Sequence, residues 1–183
     1  MLFREITKNK GEEMKEVLLS LCIPTNGISE LVFPVLDSIF SQENTDISEY
    51  EVVVMDNGNN NSFKEKMHDL EKIHSNLVYK ETELKGFLNE PESYRAANGA
   101  FIKFINHRTK LLPGSLSYFI AFVRNNINSK PVVYFGNKLI ENIEGVQRFS
   151  CFDLFVKNLS YWSSWSTGMG IWKEDFLRIK EGT

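Results

Sequence analysis

The sequence predicts an α/β protein built on a mostly parallel sheet, and two observations support this. Short apolar segments at 17–24, 50–55 and 76–80 are each bounded by polar or turn-forming residues. Between them lie segments in which apolar residues recur at helical spacing. Strands that alternate with helices pair in parallel through right-handed crossovers, so we expect a doubly wound sheet with helices on both faces.

The first strand is predicted at Val17–Pro24, an apolar run that ends at proline and is consistent with a buried strand. A short turn follows, and Ser29 is then a candidate N-cap for the first helix. Pro34 falls within the first turns of that helix, where proline is best tolerated.

The second strand is predicted at Tyr50–Met55, and Asp56-Asn57-Gly58 after it is a strong turn signal. Ser62 is a candidate cap for the next helix, and a short strand follows at 76–80. The remaining predicted elements are a helix at 93–100, a strand at 100–105, a helix from Ser115, a strand at 131–135, a helix at 152–159, an extended stretch at 163–172 and a short helix from Lys173.

The turns after the first two strands are predicted to share one rim of the sheet. In open α/β sheets, ligands bind at the carboxyl ends of the strands, near a topological switch point. This places Pro24–Gly27 and Asp56–Gly58 side by side. The sequence therefore predicts a nucleotide-like pocket, although this reasoning does not name the ligand.

Composition excludes several classes of protein. A net charge of -3 and a pI near 5.7 provide no general attraction to nucleic acid. The apolar runs are too short for a transmembrane helix, and the first residues lack the apolar core of a signal peptide. Two cysteines fit reduced thiols, so we expect a cytoplasmic protein and leave open peripheral association with the inner membrane face.

Three segments resemble glycosyltransferase family 2 in residue type and spacing. They are LSLCIPTNGISELVFPVLDSIFSQ, EVVVMDNGNN and FIKFINHRTKLLPGSL, and the resemblance extends over roughly Leu18 to Phe176. The resemblance implies a Rossmann-like GT-A domain at 17–183, preceded by an N-terminal extension at 1–16. Family domains are commonly longer, so the resemblance leaves open a truncation at the C-terminus.

The resemblance also implies a nucleotide pocket, with Asp56 accepting hydrogen bonds from the base or ribose. A carboxylate there suits the imide and hydroxyl donors of a uridine-type nucleotide. The alternatives are that Asp56 only forms the turn and that Glu30 is a solvated helix carboxylate. The residues implied for the pocket are Pro24, Thr25, Glu30, Asp56, Asn57, Lys85, Gly86, Asn106 and His107.

The family's metal-binding Asp-x-Asp motif is replaced by Asn106-His107-Arg108. Hard divalent cations prefer carboxylate oxygens, whereas Arg108 would repel a cation. We therefore expect no metal ligand here, and leave Mg or Mn open only if Asn106 and His107 still support a site. Our hypothesis is that Arg108, with Lys110 or Lys85, stabilises the diphosphate instead; the alternative is a surface arginine.

An inverting transferase also needs a general base, which the family places on a helix after the last strand. Asp175 is a weak candidate, and the alternative is that it and Glu174 only begin a helix. An aromatic group could stack on an acceptor sugar or pack in the core. Its members are Tyr161, Trp162, Trp165 and Trp172.

Three functions follow from these residues. The first is transfer of a sugar from a nucleoside-diphosphate donor, expected to be a UDP-sugar, to a saccharide or lipid-linked acceptor in polysaccharide biosynthesis. The second is an inactive GT-A domain that binds nucleotide or glycan, or that scaffolds a partner. The third, a nucleotidyltransferase, is disfavoured because PTNGISE carries no basic residue after the first strand.

Overall fold

The computed structural model describes residues 17–136, 145–159 and 166–179 of the chain. The predicted extension at 1–16 lies outside these ranges, as do the aromatic residues Tyr161, Trp162 and Trp165. The fourth aromatic residue, Trp172, is 3% exposed and packs against Phe101 with ring centroids 4.9 Å apart. Trp172 is therefore a core residue.

Five strands form one sheet, flanked by helices. The strands are β1 (Leu19–Thr25), β2 (Tyr50–Asp56), β3 (Leu77–Glu81), β4 (Phe101–Phe104) and β5 (Gly170–Trp172). The helices are α1 (Ser29–Phe40), α2 (Asn61–Ile73), α3 (Asn89–Ala96), α4 (Ser115–Asn126), α5 (Phe152–Leu159) and α6 (Lys173–Phe176). Two short 3-10 helices lie at Gly86–Leu88 and Ser166–Gly168.

The strand order β3-β2-β1-β4-β5 confirms the predicted mostly parallel sheet. The first four strands are parallel, and β5 is antiparallel to β4. The chain moves outward from β1 through β2 to β3 and then returns to the other side of β1. This reversal creates a switch point between β1 and β4, where sheets of this kind bind their ligands.

Side chains of β1 alternate between two cores, which is why helices cover both faces. Leu19, Leu21 and Ile23 contribute to the larger core with α1, α2 and α4. Cys22 points the other way, into a smaller core to which α3 and α6 contribute Tyr94 and Phe176. None of the helices in the described part of the chain combines the length and the apolar composition that a membrane crossing requires.

Two predicted helix caps are wrong. Ser29 is the first residue of α1 rather than its N-cap, and Ile28 in the N-cap position makes no side-chain cap bond. Ser62 lies inside α2, whose N-cap is Asn60. The Asn60 side-chain oxygen Oδ1 accepts from the Phe63 backbone amide at 3.2 Å, and this amide lies three residues on, as N-capping requires.

Two other predicted elements also differ from the structure. The helix predicted at 93–100 is α3, which ends at Ala96. It does not continue because the backbone amides of residues 98 and 99 have an acceptor outside the helix. The amides of Asn98 and Gly99 both donate to the buried Glu51 carboxylate of β2. The strand predicted at 131–135 is wrong, since only Tyr134 makes an isolated bridge, to Met169. Pro131 has no N–H to donate.

Replacing Asn60 by alanine should lower the free energy of unfolding by about 1 kcal/mol, because α2 loses its side-chain cap. Ser62→Ala is the matched control, since Ser62 is an exposed residue inside the helix, and it should change stability by less than about 0.5 kcal/mol. Urea denaturation measures both. Equal losses from the two substitutions would contradict the assignment of Asn60 as the cap.

Candidate functional site

The carboxyl ends of β1, β2 and β4 meet at one edge of the sheet. The register pairs Thr25, the last residue of β1, with Asp56, the last residue of β2. On the other side of β1, the Ile105 amide donates to the Cys22 carbonyl at 2.8 Å. The loops that follow these three strands therefore leave the sheet side by side, as the sequence predicts for the first two.

The loop after β1 and the loop after β2 touch backbone to backbone. The Asn57 amide donates to the Thr25 carbonyl at 3.0 Å, and the Asn60 side chain donates to the Gly27 carbonyl at 3.1 Å. A Cβ on Gly58 would lie 2.1 Å from the Asn26 carbonyl oxygen, so only glycine fits there. The two loops form one joined unit, which we call the double loop (25–28 and 56–60).

Asp56 lies inside the double loop and does not point to bulk water. It is 1% exposed, and its two carboxylate oxygens accept from the Gly58 amide at 2.7 Å and the Tyr79 hydroxyl at 2.9 Å. Burial and this bond to Asp56 raise the pKa of Tyr79, which keeps the phenol protonated as a donor. Each carboxylate oxygen has a second acceptor position. Asp56 thus shapes the turn and retains one acceptor position on each of its two oxygens.

A third loop, between β3 and α3, is fastened to the double loop. The side-chain amide of Asn57 donates to the backbone carbonyls of Leu84 at 3.0 Å and Gly86 at 3.1 Å. The Asn89 side chain donates to the Thr25 carbonyl at 3.0 Å. The structure therefore brings Gly86 to the rim, where its φ of +60° favours glycine. Lys85, beside it, is exposed.

His107 joins the β4 loop to the end of β1. Its Nδ1 lies 3.1 Å from the hydroxyl oxygen of Thr25, which is 2% exposed and also accepts from the Gly27 amide at 3.2 Å. Burial, together with the positive charge of Arg108, lowers the pKa of His107. The imidazole is therefore neutral at neutral pH, and it meets Thr25 through a hydrogen bond rather than an ion pair.

The side chains of residues 106–108 do not fit a hard divalent cation. The Asn106 side-chain oxygen accepts from the Arg108 amide at 3.0 Å, so it closes its own turn. The other two side chains are an imidazole and a guanidinium, and no carboxylate is present. Among the described residues, no group of three His, Cys, Asp or Glu side chains is placed to hold a metal ion.

The remaining predicted residues lie at different places around this edge. Pro24 is in β1 next to Thr25, and Glu30 is exposed in the first turn of α1. Asp175 is in α6, where it accepts from Arg178 at 3.2 Å. Within the described ranges, no hydrogen bond or ion pair joins Asp175 to the double loop or to the His107 loop.

Sequence reasoning missed three residues that hold the site together, namely Tyr79, Asn89 and Asn60. Tyr79 lies in a predicted strand, but nothing in the local pattern indicates which side chain its hydroxyl will meet. Asn89 and Asn60 are polar residues near helix starts, a position that suggests capping. Asn60 does cap α2, but the sequence did not show that Asn60 and Asn89 also tie the double loop together.

Comparison with known proteins supports the fold. No family model matches the chain, and no curated protein does either. Residues 1–349 of TarS from S. aureus superpose with a TM-score of 0.58 at 21% identity, covering 72% of this chain and 39% of that one. The same protein in complex with UDP-GlcNAc gives 0.57 at 20% identity over 72% of this chain and 37% of that one.

A mannosyltransferase from Pyrobaculum calidifontis, PcManGT, in complex with GDP-Man and Mn²⁺ gives a TM-score of 0.52 at 20% identity. The match covers 63% of this chain and 33% of that one. The chain has a GT-A-like fold. It spans less than two fifths of the length of these GT-A-like glycosyltransferases.

Replacing Gly58 by alanine should force the double loop apart, because the new methyl would overlap the Asn26 carbonyl. We expect a loss of about 1 to 3 kcal/mol in the free energy of unfolding. The exposed neighbour Asn59 provides the control, because Asn59→Ala places no new atom against the Asn26 carbonyl. A Gly58→Ala protein as stable as the control in urea denaturation would show that the two loops do not touch.

Proposed function

We propose that this chain is the nucleotide-sugar-binding part of a glycosyltransferase. Its donor would be a nucleoside-diphosphate sugar, expected to be a UDP-sugar, and its acceptor a saccharide or lipid-linked saccharide in polysaccharide biosynthesis. One observation carries the proposal. The double loop, with Asp56 buried inside it, lies beside the switch point of a GT-A-like sheet.

Asp56 is the proposed reader of the base or ribose. Its carboxylate is held by Gly58 and Tyr79, so it needs no reorganisation before a further donor arrives. Because Asp56 is 1% exposed, a ligand donor that reaches it is removed from bulk water. A hydrogen bond to a carboxylate away from water is stronger than one at an open surface.

Arg108 and His107 are proposed to face the diphosphate. Sugar transfer leaves negative charge on the departing diphosphate, and that charge must be stabilised in the transition state. Arg108 is exposed after β4, and a guanidinium matches phosphate oxygens in pairs. His107 is neutral and fixed against Thr25 through Nδ1, which leaves Nε2 as the ring nitrogen available to the ligand.

A second candidate function is a domain that binds nucleotide or glycan, or that scaffolds a partner, without transferring a sugar. Two observations favour it. The Asp-x-Asp positions carry no carboxylate. The candidate base Asp175 is in contact with Arg178, and its neighbour Glu174 is paired with Lys130 and Arg178. The transferase and a domain that only binds nucleotide require the same nucleotide pocket.

Calorimetric titration of the protein with UDP, in excess chelator, tests the shared pocket. Asp56→Asn should weaken UDP binding by about tenfold or more, because a charged acceptor is lost. Asp69→Asn, on the exposed face of α2, should bind UDP like the unmodified protein. Absence of UDP and GDP binding in the unmodified protein would exclude the proposed pocket.

Release of free sugar from a panel of UDP- and GDP-sugars then separates the two candidates. Hydrolysis or transfer supports the transferase, whereas nucleotide binding without turnover supports the binding domain.

Arg108→Ala should weaken UDP binding by about tenfold and leave uridine binding unchanged, because only the diphosphate loses a partner. Arg124→Ala, which removes an exposed arginine paired with Glu49 on another side of the molecule, is the control. Both ligands can be compared by calorimetry in chelator. Strict dependence of UDP binding on added Mg or Mn would rule out the role assigned to Arg108.

A further inference from the structure

Lys103 is a buried lysine for which the proposed function has no use. It lies in β4 and is 1% exposed. Its register partner in β1 is Leu21, so its side chain points, like that of Leu21, into the larger core. The rings of Phe119 and Phe135 lie 5.8 and 5.7 Å from its Nζ. Lysine is almost never fully buried without a paired charge. In the described part of the chain, no acidic side chain forms an ion pair with it.

Three backbone carbonyls surround the Lys103 amino group. Nζ donates to the carbonyls of Phe104 at 3.1 Å, Met169 at 3.2 Å and Thr167. An ammonium group has three N–H donors, so each has one carbonyl acceptor. Two of these carbonyls belong to the stretch 167–169, which we call the β5 turn because it leads directly into β5.

The β5 turn is also held from its other side. Tyr134 forms a bridge with Met169, and the Phe135 amide donates to the Gly168 carbonyl at 2.8 Å. A Cβ on Gly168 would lie 2.2 Å from the Tyr134 ring, so the turn is packed tightly there. The turn therefore lies between Lys103 on β4 and the segment 134–135.

The position of Lys103 connects two parts of the proposed site. Three residues after Lys103, the chain reaches Asn106 and the loop proposed to face the diphosphate. After the β5 turn come β5 and α6, which carries the candidate base Asp175. Lys103 therefore joins the strand that leads to the first part to the turn that leads to the second.

The charge state of Lys103 decides how well this contact is made. Burial lowers the pKa of Lys103 to about 7. A neutral amine has only two N–H donors and a lone pair, so one of the three carbonyls would face a lone pair instead of a donor. Among the described residues, the titratable side chains on the elements packed around it are Cys22, which points into the smaller core, Tyr118, Arg124 and Tyr134. Burial accounts for the lowered pKa.

We propose that Lys103 is a positioning residue that holds the β5 turn in place only while its side chain is an ammonium group. As pH rises through neutrality, the amine loses its third donor and the turn loosens. The inference rests on the proposed function only where it connects the turn to the transfer site. The response of the turn itself can be measured without any sugar nucleotide.

The test is amide hydrogen exchange followed by NMR at pH 6 and pH 8.5, with the intrinsic pH dependence of exchange removed. The reporters are the amide of Phe135, which donates to the turn, and the amides of 169–171. The neutral fraction of a lysine with a pKa near 7 rises about tenfold over this range. We expect opening at the reporters to rise by a similar factor in the unmodified protein.

Lys103→Met should show fast exchange at both pH values, because methionine donates to no carbonyl. Lys103→Arg remains charged, so it should show no such rise, and it serves as the second variant if the methionine protein does not fold. Lys66→Met is the control. Lys66 lies over the Phe33 ring at 5.7 Å but is exposed on α2, so its replacement should leave the rise unchanged.

Exchange at the reporters that does not change between pH 6 and pH 8.5 in the unmodified protein would overturn the inference. So would the same rise in Lys103→Met, or a side-chain ¹⁵Nζ signal of Lys103 that titrates near the ordinary lysine value. UDP titration of the same samples reports on the nucleotide pocket separately. Loss of UDP binding with a pH-sensitive turn would count against the proposed function and leave the role of Lys103 in place.

Discussion

The candidate site depends on one buried carboxylate. Asp56 ends β2, accepts from the Gly58 amide at the head of its own loop, and accepts from the Tyr79 hydroxyl on β3. A buried charge is tolerated only when donors surround it, and here those donors come from two adjacent strand ends. The same arrangement closes the turn against the loop after β1. The Asp56 carboxylate therefore stabilises this edge of the sheet and also provides hydrogen-bond acceptors at the candidate site.

The rest of the edge is joined by neutral hydrogen bonds rather than by ion pairs. Asn57, Asn60 and Asn89 each donate to a backbone carbonyl of a different loop. The hydroxyl of Thr25 meets a neutral His107. Such amide bridges keep their strength when pH or salt changes, because they carry no charge to be titrated or screened. These amide bridges therefore do not depend on the charge state of the groups around them.

The first residues of the loop after β4 carry no carboxylate. Positions 106–108 supply an amide, an imidazole and a guanidinium. A carboxylate pair binds a phosphate only through a cation, whereas a guanidinium binds it directly. The exposed Arg108 therefore gives this loop a positive charge, and His107 joins the same loop to Thr25 at the end of β1.

The sequence by itself determined the fold class, most element positions and the adjacency of the first two loops. These depend on the period of apolar residues and on turn chemistry, both of which act over a few neighbouring positions. Only the tertiary structure decided that Tyr79 would meet Asp56, that Glu51 would end α3, and that Lys103 would be buried among three carbonyls. These partners lie 23 to 66 residues apart, apart from the carbonyl of Phe104 next to Lys103. Local patterns carry no information about which distant groups will share a buried space, because packing of the whole sheet sets that.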